Sequence, residues 1–570
     1  MNELDIAVLI GSIFSIALYG MWHTRNRKDL DSYMRGSDHS PWWVIGLSVM
    51  ATQASAITFL STPGQGYLSG MSFLQVYFGV PIALILISVF FLPIFHKLNV
   101  YTAYEFLENR FDTKTRLLGA ALFLLQRGIG AGLTIYAPAI VLSTVFGWSL
   151  QWTIVSSGLL VIVYTVVGGT DAVTVTQKYQ IGIIFLGMIT AFCMLIGKLP
   201  PGLSFGDAMH IAGGFQKLNA VNFSTSLNER YTFFSGILGG TFLMLSYFGT
   251  DQSQVQRYIA GHSLRESRLG LLFNAVCKIP MQFCILLLGV MMFVFYQFEQ
   301  PPLFFDSVSN KYMNTQRSDQ KLVALESGFK SAHERGKHNL ETWMHAKHDG
   351  NQAQAASAFI AAAAAQQEAE EIRLEAAKEL SAKNTDIKAN NADYVFITFI
   401  LRELPHGVIG LLIAAFFAAA LSSKAAELNA LGTSSTMDFY KRVVNREATD
   451  GECLIATKAF TGIWGIVAII IALFAQLSEN LIQAVNILGS IFYGVMLALF
   501  LVAFFIRRVG GTAIFWSALV AQTLVFILYN SLTISYLWYP LIGCVSCIIL
   551  SLILQAILGS NQKPIEEYTA

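Results

Sequence analysis

Charge is what this chain has least of. Of 570 residues only 13% are Asp, Glu, Lys or Arg, 54% are apolar, and the net charge is +1. A water-soluble protein of this length carries far more charge on its surface. Cysteine is equally scarce. The six (Cys193, Cys277, Cys284, Cys453, Cys544, Cys547) fall in or beside apolar runs. That excludes a disulfide framework and makes Cys544-x-x-Cys547 a packing pair rather than a redox pair. There is no Walker A sequence, no HExxH and no credible dinucleotide fingerprint; Gly128-Ile129-Gly130-Ala131-Gly132 sits in an apolar run and reads as helix packing. No catalytic constellation is visible, so an enzyme is not expected, nor is a nucleic-acid partner. Uphill transport without a nucleotide site has to draw on an ion gradient.

What the chain has instead is apolar runs of membrane-crossing length, near 3–22, 42–62, 73–95, 117–145, 150–167, 177–196, 234–254, 269–297, 406–423, 454–475, 481–506, 512–530 and 535–558. A lipid bilayer is therefore a partner. Backbone groups inside it must be satisfied within each span, which predicts an all-α membrane protein of about 13 transmembrane helices. The first run lacks a basic leader and a small-residue cleavage site, so it reads as a retained helix. Basic residues follow alternate spans: Arg25, Arg27, Lys28 and Arg35; Lys97, Arg110, Lys114 and Arg116; Arg257, Arg265 and Arg268; Lys424, Lys441, Arg442, Arg446 and Lys458; Arg507 and Arg508, whereas the opposite short loops hold little beyond Lys198, Lys217 and Arg230. The positive-inside rule then places the N-terminus outside and the C-terminus in the cytoplasm of a plasma membrane, a bacterial inner membrane by preference.

One polar segment, 310–393, interrupts the pattern on the outer side. Its stretch 355–382 is rich in Ala, Glu, Gln and Lys and predicts a long helix, half of a hairpin. A solvated appendage, a lid and a docking element for a partner are all open roles. His345 and His348 can share a face there, although ordinary surface histidines are the simpler reading. Short surface helices are expected within 200–230.

Two adjacent hydroxyls, Ser422 and Ser423, stand at the end of the greasy run Phe416-Phe417-Ala418-Ala419-Ala420. Such oxygens suit a small hard cation stripped of its water, and the simplest reading is a transporter that couples a solute to sodium.

Several segments together resemble the sodium:solute symporter family: Ser48-Val49-Met50-Ala51 through Gly66-Tyr67, Tyr104-Glu105-Phe106-Leu107 with Arg110-Phe111, Gly168-Gly169-Thr170, and 419–430 followed by Thr436-Met437-Asp438-Phe439-Tyr440. Within it, Gly239-Gly240-Thr241-Phe242, Gln254-Val255-Gln256-Arg257-Tyr258 and Tyr136-Ala137-Pro138 resemble the branch of sodium/iodide, multivitamin and monocarboxylate transporters. The resemblance implies a LeuT-like (APC) fold of inverted five-helix repeats with extra N- and C-terminal helices. It divides the chain into a first helix and loop (1–41), a first repeat (42–196), an outer loop (197–233), the start of the second repeat (234–309), the insertion (310–393), the rest of that repeat (394–506) and C-terminal helices with a short tail (507–570). It also implies a cytoplasmic turn at Gly168-Gly169-Thr170.

Carried over residue by residue, the resemblance puts a sodium ion, the one cofactor expected, on the carbonyls of Ala51, Ala54 and Ala419 and the hydroxyls of Ser422 and Ser423. Gln177, Ala425 and Ala426 stand where some members hold a second sodium, so one sodium per cycle is expected. Solute-facing or gating positions map to Gln53, Thr58, Tyr77, Val80, Met244 and Tyr247. Val80 and Met244 cannot hydrogen-bond several hydroxyls, which disfavours a hexose. Lys278 is an ammonium deep in an apolar run, expensive unless functional or paired. A solute or gating role, a pair with Asp251, and snorkelling are the readings open to it. Arg127, Glu427 and Asn429 read as packing or gate groups. The expected function is sodium-driven import of a small organic solute, with a carboxylate or other anion favoured. The alternatives are a transport-derived sensor and a sugar or polyol symporter.

Overall fold

A computed structural model describes residues 1–24, 41–98, 101–259, 263–315, 319–383, 391–475 and 479–559. Among them every regular element is helical. Nine helical stretches in the described residues are long and apolar enough to cross a membrane, and the shorter apolar stretches Leu150–Val166 and Ser235–Gly249 accompany them. Two of the thirteen apolar runs, 42–62 and 234–254, fold as broken rods.

Two of the breaks matter for function. Helix Trp42–Gln53 stops at Ala54 (φ −84°, ψ 65°), Ser55 is extended, and helix Ala56–Ser69 restarts the rod. Helix Gly240–Gly249 stops at Thr250, and Gln252–Ile259 follows. There the Asp251 carboxylate accepts from the Ser253 backbone N–H at 2.9 Å, capping the restart. Breaks inside an apolar fold leave backbone carbonyls and N–H groups free to bind a guest.

One expected turn is not formed. Gly168-Gly169-Thr170 lies inside the 48-residue helix Leu150–Gly197. That helix contains no proline, so no backbone donor is removed along it and helical bonding runs through the glycines. The side chains at 167–179, Gln177 and Lys178 included, lie outside the described residues.

Helix Leu264–Phe298 packs along both halves of the first broken rod. Its Gly289 and the rod's Gly66 make the contact possible. A Cβ on Gly66 would meet the Leu286 carbonyl oxygen at 2.4 Å, and one on Gly289 would meet that of Pro63 at 2.0 Å. The two backbones therefore touch, the small-residue packing favoured where lipid supplies no hydrophobic drive. Likewise Gly128 lies against the Trp464 ring and Gly132 against Ile471, which makes the glycine run of helix Thr113–Phe146 a packing surface.

Two sequence motifs far apart in the chain are joined by charge. Arg116 donates to Asp438 at 2.8 Å and to Glu108 at 2.9 Å; Thr102 and Ser434 also donate to Asp438. Arg442 pairs with Glu108 at 2.7 Å. Burial raises the Glu108 pKa, but hydrogen bonds from Arg442, Thr113 and Arg116 outweigh it and hold the carboxyl below its usual range.

The insertion is a hairpin of two helices, Gln320–His348 and Gln352–Lys383, turning at Gly350 (φ 73°). Ala355, Ala358, Ala362, Ala365 and Ala369 recur at helical spacing and are buried in the pairing. The hairpin is clamped to its base. Lys347 meets Asp207 of helix Phe205–Gly214 at 2.5 Å, Trp343 stacks on His210 at 5.4 Å, and Arg373 donates to the Leu303 carbonyl at 3.1 Å. No group of three His, Cys, Asp or Glu suited to a metal is present among the described residues, His345 and His348 included.

Candidate functional site

The first break opens onto an interior cavity of about 80 Å³. Its wall includes five of the six solute-facing positions read from the sequence: Gln53, Thr58, Tyr77, Met244 and Tyr247. Val80 is fully buried and is not among the lining residues. Gln53 sits at the last turn before the break. Its amide donates to the Met244 sulfur at 3.9 Å, and its carbonyl oxygen has no partner among the described residues. A buried acceptor in that state is a place for a donor from a guest or a water.

Beside the break runs helix Val408–Ser434, packed on both halves of the rod. The positions carried over for sodium therefore lie on neighbouring elements. Ala54 is the break residue and Ala51 is in the last turn before it, where carbonyls have no continuing helix above them. Ala419 and Ser423 are buried on the facing helix; the Ser422 side chain lies outside the described residues. The Ser423 hydroxyl donates to the Ala420 carbonyl at 3.3 Å. That bond uses its hydrogen and leaves oxygen lone pairs for a cation, so back-bonding to its own helix and ligation are compatible.

The structure also brings to the cavity two charges that the sequence reading had set aside as packing or gate groups. Arg127 and Glu427 both line it. Arg127 Nη2 pairs with Asp251 and also donates to Tyr493 Oη at 3.0 Å, while Nη1 reaches Glu427 at 3.4 Å. Its guanidinium lies 5.5 Å from the centre of the Tyr247 ring, a cation–π contact that gives this aromatic a second role beside lining. Lys424 donates to Glu427 at 2.6 Å and Thr134 donates to it at 3.2 Å. Two cations and two carboxylates, from helix Thr113–Phe146, the second break and helix Val408–Ser434, thus form one buried, neutral quartet. An ionisable residue in an apolar run is the signal for each; what spacing did not carry is that residues 127, 251, 424 and 427 converge.

Of the three readings open to Lys278, the pair with Asp251 is not formed, because Asp251 is taken by Arg127, Tyr493 and Ser253. Lys278 is fully buried, its ammonium has no hydrogen-bond partner among the described residues, and it faces the Tyr77 ring.

Comparison with known proteins agrees with this architecture. A family model described as the sodium:solute symporter family matches residues 33–323 and 375–521. The sodium/sialic acid symporter SiaT of Proteus mirabilis is 26% identical over 96% of this chain and 93% of its own length. The human sodium/iodide cotransporter is 32% identical, over 44% of this chain and 39% of that protein, so the chain matches well under half of that relative. A solved structure of a sodium-coupled sialic acid symporter, in a substrate-bound outward-open state, superposes with a TM-score of 0.74 over 98% of both chains at 24% identity. The fold is that of the LeuT-like transporters.

Proposed function

This chain belongs to the sodium:solute symporter family, whose members are sodium-coupled transporters rather than enzymes, and we propose that it imports a small organic anion with sodium by alternating access. The observation that carries the anion reading is the Arg127 guanidinium in the wall of the cavity at the broken rod. Lys278, behind Tyr77, adds a second cation with no acidic counterpart bonded to it. The Arg127–Asp251–Glu427–Lys424 quartet is itself neutral, so one sodium and one monovalent anion entering together add no net charge to the interior. Iodide and sialic acid, named for two relatives, are both anionic solutes, which supports the same class here.

The sodium ligands in this reading are the Ala51, Ala54 and Ala419 carbonyls with the Ser422 and Ser423 hydroxyls. Ala425 and Ala426, fully buried and without hydroxyls, support a single sodium. Gln53, Thr58, Tyr77, Met244 and Tyr247 shape the solute space, with Lys278 against the Tyr77 ring. The N-terminus lies outside, the C-terminus in the cytoplasm of the plasma membrane, and the hairpin projects outward.

Uptake into proteoliposomes is the test, using sialic acid, lactate, nicotinate, iodide, glucose and inositol with and without an inward sodium gradient. The expected result is sodium-dependent accumulation of a carboxylate with a Hill coefficient near one for sodium. Accumulation of a neutral sugar with no anion carried would overturn the solute class, and a sodium Hill coefficient clearly above one would overturn the single site.

A further inference from the structure

The buried quartet is unevenly bonded. Asp251 is saturated: besides Arg127 it accepts from Tyr493 Oη at 2.8 Å and from the Ser253 backbone and hydroxyl at 2.9 and 2.6 Å. It does not line the cavity. Glu427 does, and its link to Arg127 is the weakest in the group, 3.4 Å from Nη1 to Oε1, beyond the usual hydrogen-bond range. Its other oxygen is held firmly by Lys424 at 2.6 Å, with Thr134 at 3.2 Å. Glu427 thus has a second, stronger home that does not involve Arg127. It also stands four residues beyond Ser423, one turn along the same helix.

We propose that Glu427 is a resident carboxylate that occupies Arg127 in the absence of solute, and that an arriving organic carboxylate displaces it, leaving it to Lys424 and Thr134. The exchange deepens the anion reading above and rests on it. It keeps every buried charge paired at each stage: the guanidinium trades one carboxylate for another, and Lys424 never loses its own. A neutral solute cannot take the guanidinium from Glu427, so the same residue rejects sugars and polyols as a class. Because Glu427 and Ser423 are one helical turn apart, displacement repositions the element that carries the sodium hydroxyl. Solute occupancy is thereby linked to the ion site, and the linkage must be reciprocal.

The test uses the purified full-length protein and measures dissociation constants for sialic acid and lactate in sodium and in choline medium, with glucose as the neutral control. Glu427→Gln removes the competing charge, so it is expected to bind the carboxylate about tenfold more tightly in choline than the wild type does, with a smaller effect of sodium on affinity. Glu427→Asp, which keeps a carboxylate, returns both values toward wild type. Unchanged affinity and sodium dependence in Glu427→Gln overturns the exchange, as does weaker binding with an unaltered unfolding temperature. Should Glu427→Gln fail to fold, the charge-matched pair Glu427→Gln with Lys424→Gln takes its place, with the same expected tightening and the same overturning results. Wild-type protein that binds neither carboxylate overturns the anion reading itself, a result distinct from either mutant outcome.

Discussion

The ammonium of Lys278 lies 5.1 Å from the centre of the Tyr77 ring, with no hydrogen-bond partner among the described residues. Tyr77 also lines the cavity, so a buried positive charge sits against an aromatic of its wall. Lys278→Met is expected to raise the KM for anion uptake about tenfold while leaving the unfolding temperature unchanged or higher, because a solitary buried ammonium is costly to the fold. Uptake kinetics beside thermal unfolding check both halves. An equal loss for every solute together with a lower unfolding temperature would mean that the lysine supports the structure instead.

Ser422→Ala and Ser423→Ala should each abolish sodium-dependent uptake without affecting expression or folding. Each removes one of roughly five oxygens around a hard cation and leaves the helix backbone intact. Sodium activation curves of the two variants, measured against wild type, decide it. Activation that is unchanged in both removes the ion site.

Asp251→Asn leaves the Arg127 guanidinium buried with the Tyr493 hydroxyl and, for a carboxylate, only its loose contact to Glu427 among the described residues. Breaking a buried pair in this way costs about 3–5 kcal/mol, so the unfolding temperature should fall sharply. The double change Asp251→Asn with Arg127→Gln should recover part of that stability but not anion uptake. A stability of Asp251→Asn equal to wild type would show that the pair is dispensable.

The hairpin should loosen in acid. His333 is 5% exposed with Nε2 unpartnered, and burial pushes its pKa down to about 4, with Lys337 and Arg373 acting in the same direction and Glu334 against. Between the ordinary histidine value and about 4, the unfolded hairpin binds a proton that the folded one does not, so stability falls as pH drops through that window. Spin labels at the exposed positions Ser327 and Leu374 should give a distance distribution that broadens from pH 7 to pH 5. His333→Phe should abolish the broadening.

The membrane class and the family were readable from letters because each rests on local signals: apolar length, basic loops, and short motifs around the two serines. The placement of Gln53, Thr58, Tyr77, Met244 and Tyr247 on one cavity came from the resemblance, not from periodicity, and the structure groups them. What could not be read was convergence. Arg127, Asp251, Lys424 and Glu427 are spread over some 300 residues of chain, and each alone is consistent with packing, gating or ligation. For the same reason Asp251 was offered to Lys278, when the better-placed guanidinium on helix Thr113–Phe146 holds it. The glycines at 168 and 169 misled in the opposite direction: glycine permits a turn but does not compel one, and here the helix simply continues.

The contact between Gly66 and Gly289 limits how the molecule can switch faces. With main-chain atoms already touching, neither segment can slide past or roll over the other without first separating. The second half of the first rod, Ala56–Ser69, and its neighbour must therefore travel together as one lever, and the bending falls to the unwound residues at 54 and 55. A single bulky side chain at position 66 would pry that lever apart while leaving every solute and ion contact chemically intact.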